Sequence, residues 1–441
     1  MKTQKGFYDP ITVDLRTNNF DSAAVKLEIA KEKGKYGHKD RMVYFTDAGL
    51  AYHYAGEYDT SNARLHEADA AAEELFTKSI SRAVTSVLLN DNVLEYAGED
   101  YEILYGNLIS ALNYLMMREY EDAFVEIRRA NLKLEQLEAK YSNAGLLLRQ
   151  GLAKDTSIGG VDYEIKPVRM YNDAFARYLS MHMYAADGKW DDARIDLEYL
   201  QQAFRDQPYI YNFDVPDVRY VSDEGSILSV VALAGLAPVK EELSLRIRTD
   251  KQLNLVQIMY ADKDEEVPGY THIPMNVSED YYFKFAIPEL QDRVSMIDRV
   301  NVYVDGERLG QLQLLEDVGA VARETFRAKS SMIYIRTVLR AVAKGLIAHK
   351  QKQKADTGGL GGWLKKAAID VVTDVSENPD LRCARLLPGR ILVGDFVVEP
   401  GTYDLRVEFV GADGRRVASQ SFPGYTVTQN GPNLIEAVSL Q

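Results

Sequence analysis

Four stretches of the chain share one pattern of apolar and polar positions: Phe20–Ala30, Tyr58–Ala68, Tyr120–Ala130 and Trp190–Leu200. Each opens on an aromatic residue followed by an acid (Asp21, Asp59, Glu121, Asp191). A small residue stands three positions after the aromatic (Ala23, Ser61, Ala123, Ala193), and a small or aliphatic one ten positions after it (Ala30, Ala68, Ala130, Leu200). Apolar runs with helical spacing precede three of them and end in tight turns: Ala48 to Gly56, Leu108 to Arg118, Phe175 to Gly188. This is the layout of a tetratricopeptide-type helix–turn–helix unit. Small residues let two helices approach, and the aromatic plugs the corner between them. Trp190 is accordingly expected to be buried at the corner of the last pair.

The pattern predicts helices over 12–36 with a turn at Asn18-Asn19, then the pairs 41–56 with 59–89 and 102–118 with 120–141, and a last pair from Asn172 to Ala203. The intervals 20 to 58, 58 to 120 and 120 to 190 exceed the roughly 34 residues of a regular array. An overlong helix after Asp59 and inserted loops at Asn90–Gly98 and Ser142–Pro167 account for the excess. The second loop is glycine-rich (Gly145, Gly151, Gly159, Gly160). Residues 12–207 therefore read as an irregular tetratricopeptide-like α-solenoid.

From Pro208 the language changes. Residues 208–220 are rich in Pro, Asp and Tyr and read as a linker. Strand patterns follow at 226–236, 242–248, 281–286, 300–304 and 311–315, with Asp305-Gly306 as a hairpin signal. Helical spacing interrupts at 318–349 and again at 360–375, around a polar break at 350–359. Strands return at 389–398, 402–410 and 415–421. Residues 221–441 thus predict a β-sandwich with a helical insertion at about 318–376, and the fold class is α+β.

Composition refines this without changing it. The chain of 441 residues is 46% hydrophobic and 27% charged, ordinary for a globular protein. Its net charge of -14 argues against general nucleic-acid binding, which needs a basic surface. The single cysteine, Cys383, makes no intramolecular disulfide and reads as a small buried residue. No uninterrupted apolar run reaches the length of a spanning helix, and Met1-Lys-Thr-Gln-Lys is not an apolar signal region.

Catalytic signatures are missing: no Walker loop, no Gly-x-Ser-x-Gly elbow, no His-Glu-x-x-His, no Cys-x-x-Cys. Gly358-Gly359 and Gly361-Gly362 precede a helical pattern but follow no strand, and read as a hinge. His53 and His66 fall on two helices of one pair and lack further metal ligands. The acids Asp262, Asp264, Glu265 and Glu266 lack the glycine and spacing of a calcium loop. No cofactor or metal is expected. One segment reverses the local charge. Between Ser331 and Ala355 stand six cations, Arg336, Arg340, Lys344, Lys350, Lys352 and Lys354, and no acid, beside an apolar stripe from Ile333 to Ile347. A basic amphipathic helix of this kind lies on anionic surfaces, and Trp363 extends it; the alternative is a packed helix with a wet basic face.

The runs Asp40–Asn62, Leu88–Glu99, Asn172–Ser180 and Leu392–Leu405 resemble a poorly characterised family of bacterial envelope lipoproteins with tetratricopeptide-like repeats. The likeness extends over most of the chain. It implies export, anchoring at the outer membrane through a lipid-bearing cysteine, and no enzymatic activity; the first residues here carry neither signal nor cysteine. The leading expectation is a non-enzymatic scaffold or adaptor of the cell envelope, binding protein partners through its helical repeats and docking to a larger assembly such as a motility or secretion machine. Peripheral membrane contact is a further possible role of the basic segment. The rivals are a cytoplasmic adaptor of the same architecture and a glycan-acting hydrolase using carboxylates the sequence does not pair.

Overall fold

The computed structural model describes residues 5–85, 94–154, 169–260, 270–274, 280–327, 329–330, 333–334, 337, 379–429 and 431–441. The protein is α+β: helices fill its N-terminal half and mainly antiparallel sheets its C-terminal half. The helices are α1 (Asp9–Arg16), α2 (Phe20–Glu32), α3 (Arg41–Tyr54), α4 (Tyr58–Thr85), α5 (Asp100–Met117), α6 (Tyr120–Lys154), α7 (Ala174–Ala186) and α8 (Trp190–Asp206). Each packs against the next in the chain.

The even-numbered helices all begin on the aromatic of the repeated pattern. Ala23, Ser61, Ala123 and Ala193 are all buried, as are Ala30, Ala68, Ala130 and Leu200. Where α3 meets α4, a Cβ on Gly49 would stand 2.6 Å from Leu65 Cγ, so the close approach depends on small residues. The turns repeat as well. Asn18, Gly56, Arg118 and Gly188, each two residues before the aromatic, have positive φ (57°, 78°, 64° and 71°). The next N–H closes back onto the preceding helix: Asn19 to Asp14 O, Glu57 to Tyr52 O, Glu119 to Tyr114 O and Lys189 to Tyr184 O, at 2.8–2.9 Å. That is the Schellman stop, four times over.

Two sequence expectations fail here. Trp190 is 53% exposed. Phe20 leans on Tyr54 of α3, whereas among the described residues no further helix of the series follows α8 to cover its opening aromatic. The loop expected from Ser142 is helix as far as Lys154. Gly145 and Gly151 each cost about 1 kcal/mol there, but Ala, Leu, Arg, Gln and Lys around them favour helix.

The strands are β1 (Ser226–Leu236), β2 (Val239–Asp250), β3 (Leu255–Tyr260), β4 (Tyr270–Pro274), β5 (Tyr281–Gln291), β6 (Arg299–Val304), β7 (Glu307–Gln311), β8 (Gln313–Asp317), β9 (Pro388–Val398), β10 (Gly401–Val410), β11 (Arg416–Val427) and β12 (Asn433–Ser439). They form three sheets in the orders β12-β1-β9-β8, β11-β10-β6-β7 and β4-β3-β2-β5. Asp305 and Gly306 both have positive φ, as the tight β6–β7 hairpin requires. A helix at 318–327, α9, follows β8.

The first sheet is covered on both faces. Leu228, Val230, Ala232 and Ala234 of β1 pack with Val300, Val302, Val407 and Phe409 of the second sheet. The alternate residues Val231 and Leu233 join the core of the helices, with Ile391, Val393, Leu434 and α9's Val318, Val321 and Ala322. A strand buried on both faces reads as an unbroken apolar run, which explains Ser226-Ile-Leu-Ser-Val-Val-Ala-Leu-Ala-Gly-Leu236.

Candidate functional site

The odd-numbered helices face the first sheet and an extended strap, residues 379–387. The inner sides of these helices hold polar groups, and the strap and sheet answer them. Arg382 donates to Lys39 O, Leu94 O and Asp40 Oδ1 and pairs with Asp380. The Ala384 N–H donates to Glu102 Oε1 at 2.8 Å and the Arg385 N–H to Asp47 Oδ1 at 2.8 Å. Tyr54 Oη donates to Leu386 O at 2.7 Å. An extended backbone read by side chains from successive helices is how a repeat groove would hold a peptide. Here the extended backbone is the chain's own strap, read by side chains of α3 and α5.

Six polar clusters tie the helices to the strap, to α9 and to the sheets. Asp47 accepts from Tyr8 Oη at 2.7 Å and Tyr36 Oη at 3.3 Å, and burial pushes its pKa up to about 6 against those bonds. His53 places Nδ1 2.6 Å from Asn113 Oδ1 and Nε2 2.7 Å from Glu436 Oε1. The Asn113 amide donates to Ser61 Oγ and Asn62 Oδ1, so its oxygen faces the ring and both ring nitrogens donate. Burial works against that charge, but the Glu436 carboxylate and the two hydrogen bonds outweigh it and the His53 pKa is raised.

Lys240, buried at the start of β2, pairs with Glu99, which Lys329 also reaches at 2.9 Å. Neighbouring Glu102 accepts from Tyr96 Oη at 2.9 Å and is pushed up to about 7, burial outweighing Lys240. Arg169 grips Glu324 of α9 through Nε and Nη2, both at 3.2 Å. Glu316 of β8 accepts from Tyr211 Oη at 3.0 Å; burial and then Asp173 raise its pKa well above the usual range.

The sixth cluster carries the residue types of a hydrolase: Ser229, His182 and Asp395. Ser229 Oγ is 3.3 Å from both ring nitrogens of His182, and it donates to Asp395 Oδ1 at 2.8 Å. His182 Nε2 stands 3.1 Å from the same oxygen, and Tyr178 Oη donates to it at 2.9 Å. The serine proton therefore goes to the carboxylate. A chain of nucleophile, base and orienter is not assembled; the cluster ties α7 to β1 and β9.

Above it opens a cavity of about 200 Å³. Trp190, Tyr220, Val221, Gln429 and Pro432 stand around it, with Ser229 and His182 also in its wall.

The residues singled out for partner or membrane contact, Arg336, Arg340, Lys344, Lys350, Lys352, Lys354 and Trp363, lie outside the described residues, as do the glycines at 358–362 and the acids at 262–266. His53 is a buried anchor, and His66 meets Glu126 at 3.2 Å on the outer side of the helices. Cys383 is buried; its sulfur accepts from the Lys240 N–H at 3.4 Å. Among the described residues no group of acids, histidines and cysteine has the arrangement of a metal site, and no helix is long and apolar enough to cross a membrane.

The sequence motifs did not reveal the anchors, but a local signal did exist. Asp47, Glu436 and Asp395 are each the one charged residue in a largely apolar run, Met42–Leu50, Leu434–Leu440 and Ile391–Val398. Comparison with protein-family models finds no match, and comparison with curated proteins finds no significant similarity.

Proposed function

We propose that the chain is a non-enzymatic scaffold or adaptor of the bacterial cell envelope. In this reading the helices form an irregular tetratricopeptide-like solenoid, and the first two sheets form a β-sandwich that fills its inner face. Partner proteins then bind the outer, even-numbered helices. The observation that carries this reading is periodic. Five residues after each opening aromatic stand Val25, Ala63, Val125 and Ile195, apolar and exposed on α2, α4, α6 and α8. A recurring exposed apolar position on successive helices is what a docking surface provides. The likeness to envelope lipoproteins supports a periplasmic, outer-membrane-anchored location. The basic segment from Arg336 to Lys354 would add peripheral contact with an anionic surface.

The test is cross-linking in envelope fractions with the wild type and with V25D/V125D/I195D. The expected result is a set of partners held by the wild type and lost by the variant, with both proteins melting alike. Identical partner sets would remove the outer surface from the reading.

A further inference from the structure

The cavity beside Trp190 has a composition unlike the rest of the surface. Charged residues make up 27% of the chain, yet among the described residues no Asp, Glu, Lys or Arg lines this space. Its wall is apolar at Ala185, Ile227 and Leu434 and carries neutral polar groups at Ser222, Ser226 and Gln429. The deeper polar groups are already committed: Ser229 and His182 to Asp395, and Asn433 to Thr428 and Ile227 O. Those bonds fix the floor and the loop above it. At the rim stands Trp190, 53% exposed, a large indole that no packing role accounts for.

We infer that this cavity is a binding site for one neutral sugar ring of a glycan, stacked on the Trp190 indole. The size fits one ring: about 200 Å³ is below the roughly 300–1,000 Å³ of pockets for drug-sized ligands. The chemistry fits as well. A pyranose offers an apolar C–H face to an aromatic platform and hydroxyls at its edge to neutral donors and acceptors such as Gln429 and Ser226. A charged ligand would leave its charge unpaired in a wall that holds none. Gly188, Gly225 and Gly431 in the lining let the ring approach backbone without side chains in the way. The inference stands apart from the scaffold reading, because none of these residues belongs to the outer row at Val25, Ala63, Val125 and Ile195.

The chain has two tryptophans, so the experiment uses the full chain with Trp363→Phe, leaving Trp190 as the only indole. Its emission is followed while neutral tetramers of glucose and of N-acetylglucosamine are added; a sulfated oligosaccharide and choline serve as controls. The expected result is saturable change with at least one neutral tetramer at millimolar or lower concentration and none with the controls. In the unmodified background, followed by calorimetry, Trp190→Ala should weaken binding by about tenfold or more, the equivalent of one lost stacking contact. Gln429→Ala should weaken it less, and the melting temperature should hold in both variants. Absence of saturation with both neutral tetramers, equal binding of a control, or full affinity in Trp190→Ala would each overturn the proposal.

Discussion

The inner and outer helices of the repeats share one turn geometry and differ in what they carry. The inner helices α3, α5 and α7 bury Asp47, His53, Glu102 and His182, each bonded to the strap or the first sheet. The outer helices carry ion pairs at the surface, such as Arg64–Glu67 and Arg194–Glu198, worth about 0–1 kcal/mol each. Their exposed apolar residues recur without a covering element among the described residues. The difference separates two jobs. The inner row attaches the C-terminal half, and in the proposed reading the outer row meets a partner. Substitutions on the two rows should therefore differ in kind, one changing stability and the other association.

The largest effect is expected on the inner side, at Lys240. Lys240→Met leaves Lys329 as the ion-pair partner of Glu99 among the described residues and removes the charge that partly offsets the burial of Glu102. Breaking a buried pair costs about 3–5 kcal/mol. Denaturant unfolding measures it, and a loss below about 1 kcal/mol would mean the inner clusters are not what holds the halves together.

Next in size is a pH dependence. Asp47 and Asp173 rise to about 6 and Glu102 to about 7 on folding, each by burial first. A carboxyl raised on folding is neutral in both states at low pH. It starts to cost stability once pH passes its unfolded value near 4, and the cost is complete above its folded value. His53, raised by Glu436 against its burial, adds stability that is present below about 6.5 and is lost as pH rises through its folded value. Both kinds of group act in one direction. Stability should fall by a few kcal/mol between pH 5 and pH 8, read as a melting temperature that drops over that range. A flat or rising profile would contradict the ionisation states assigned to the inner row.

Much of this inner–outer division was legible in the chain. The aromatic starts and small residues of the repeats are local, so α2, α4, α6 and α8 could be read residue by residue. The four turns were legible too, although two of their left-handed positions hold Asn18 and Arg118 instead of glycine. β12 escaped notice because it pairs in parallel with β1, whose partner residues lie far away in sequence. The anchors are harder still: His53 meets Glu436 and Tyr178 meets Asp395, and no spacing rule links residues so far apart. The cavity by Trp190 was missed because the repeat pattern itself argued that its aromatic should be buried.

Within one repeat the contrast can be sharpened at neighbouring positions. Ala193 is fully buried at the contact of α7 and α8. Ala193→Leu should cost about 1–3 kcal/mol, the usual penalty for overpacking, and the same substitution at exposed Ala63 should cost little. At the turn before α6, Arg118 sits in the left-handed region with φ 64°. Arg118→Gly should stabilise the protein by up to about 1 kcal/mol by removing the clash a Cβ makes there. A loss of stability would mean that the Arg118 side chain contributes more than its backbone strain costs.

The smallest stability effect is expected on the outer row, and that smallness is the point of the test. Ile195 and Val125 are exposed and lie two residues beyond the buried small positions Ala193 and Ala123. Changing either to Ser removes apolar surface that is already in water in the free protein, so unfolding should shift by less than about 0.5 kcal/mol. If the outer row is a docking surface, the same changes remove apolar area that a partner would bury, at about 25 cal/mol per Å². Stability unchanged and association weakened is therefore the signature of the outer row, and the reverse is the signature of the inner row. Ile195→Ser with a large loss of stability would show that α8 is covered by chain outside the described residues. The outer row would then be core, and the division between the two sets of helices would fail at its last repeat.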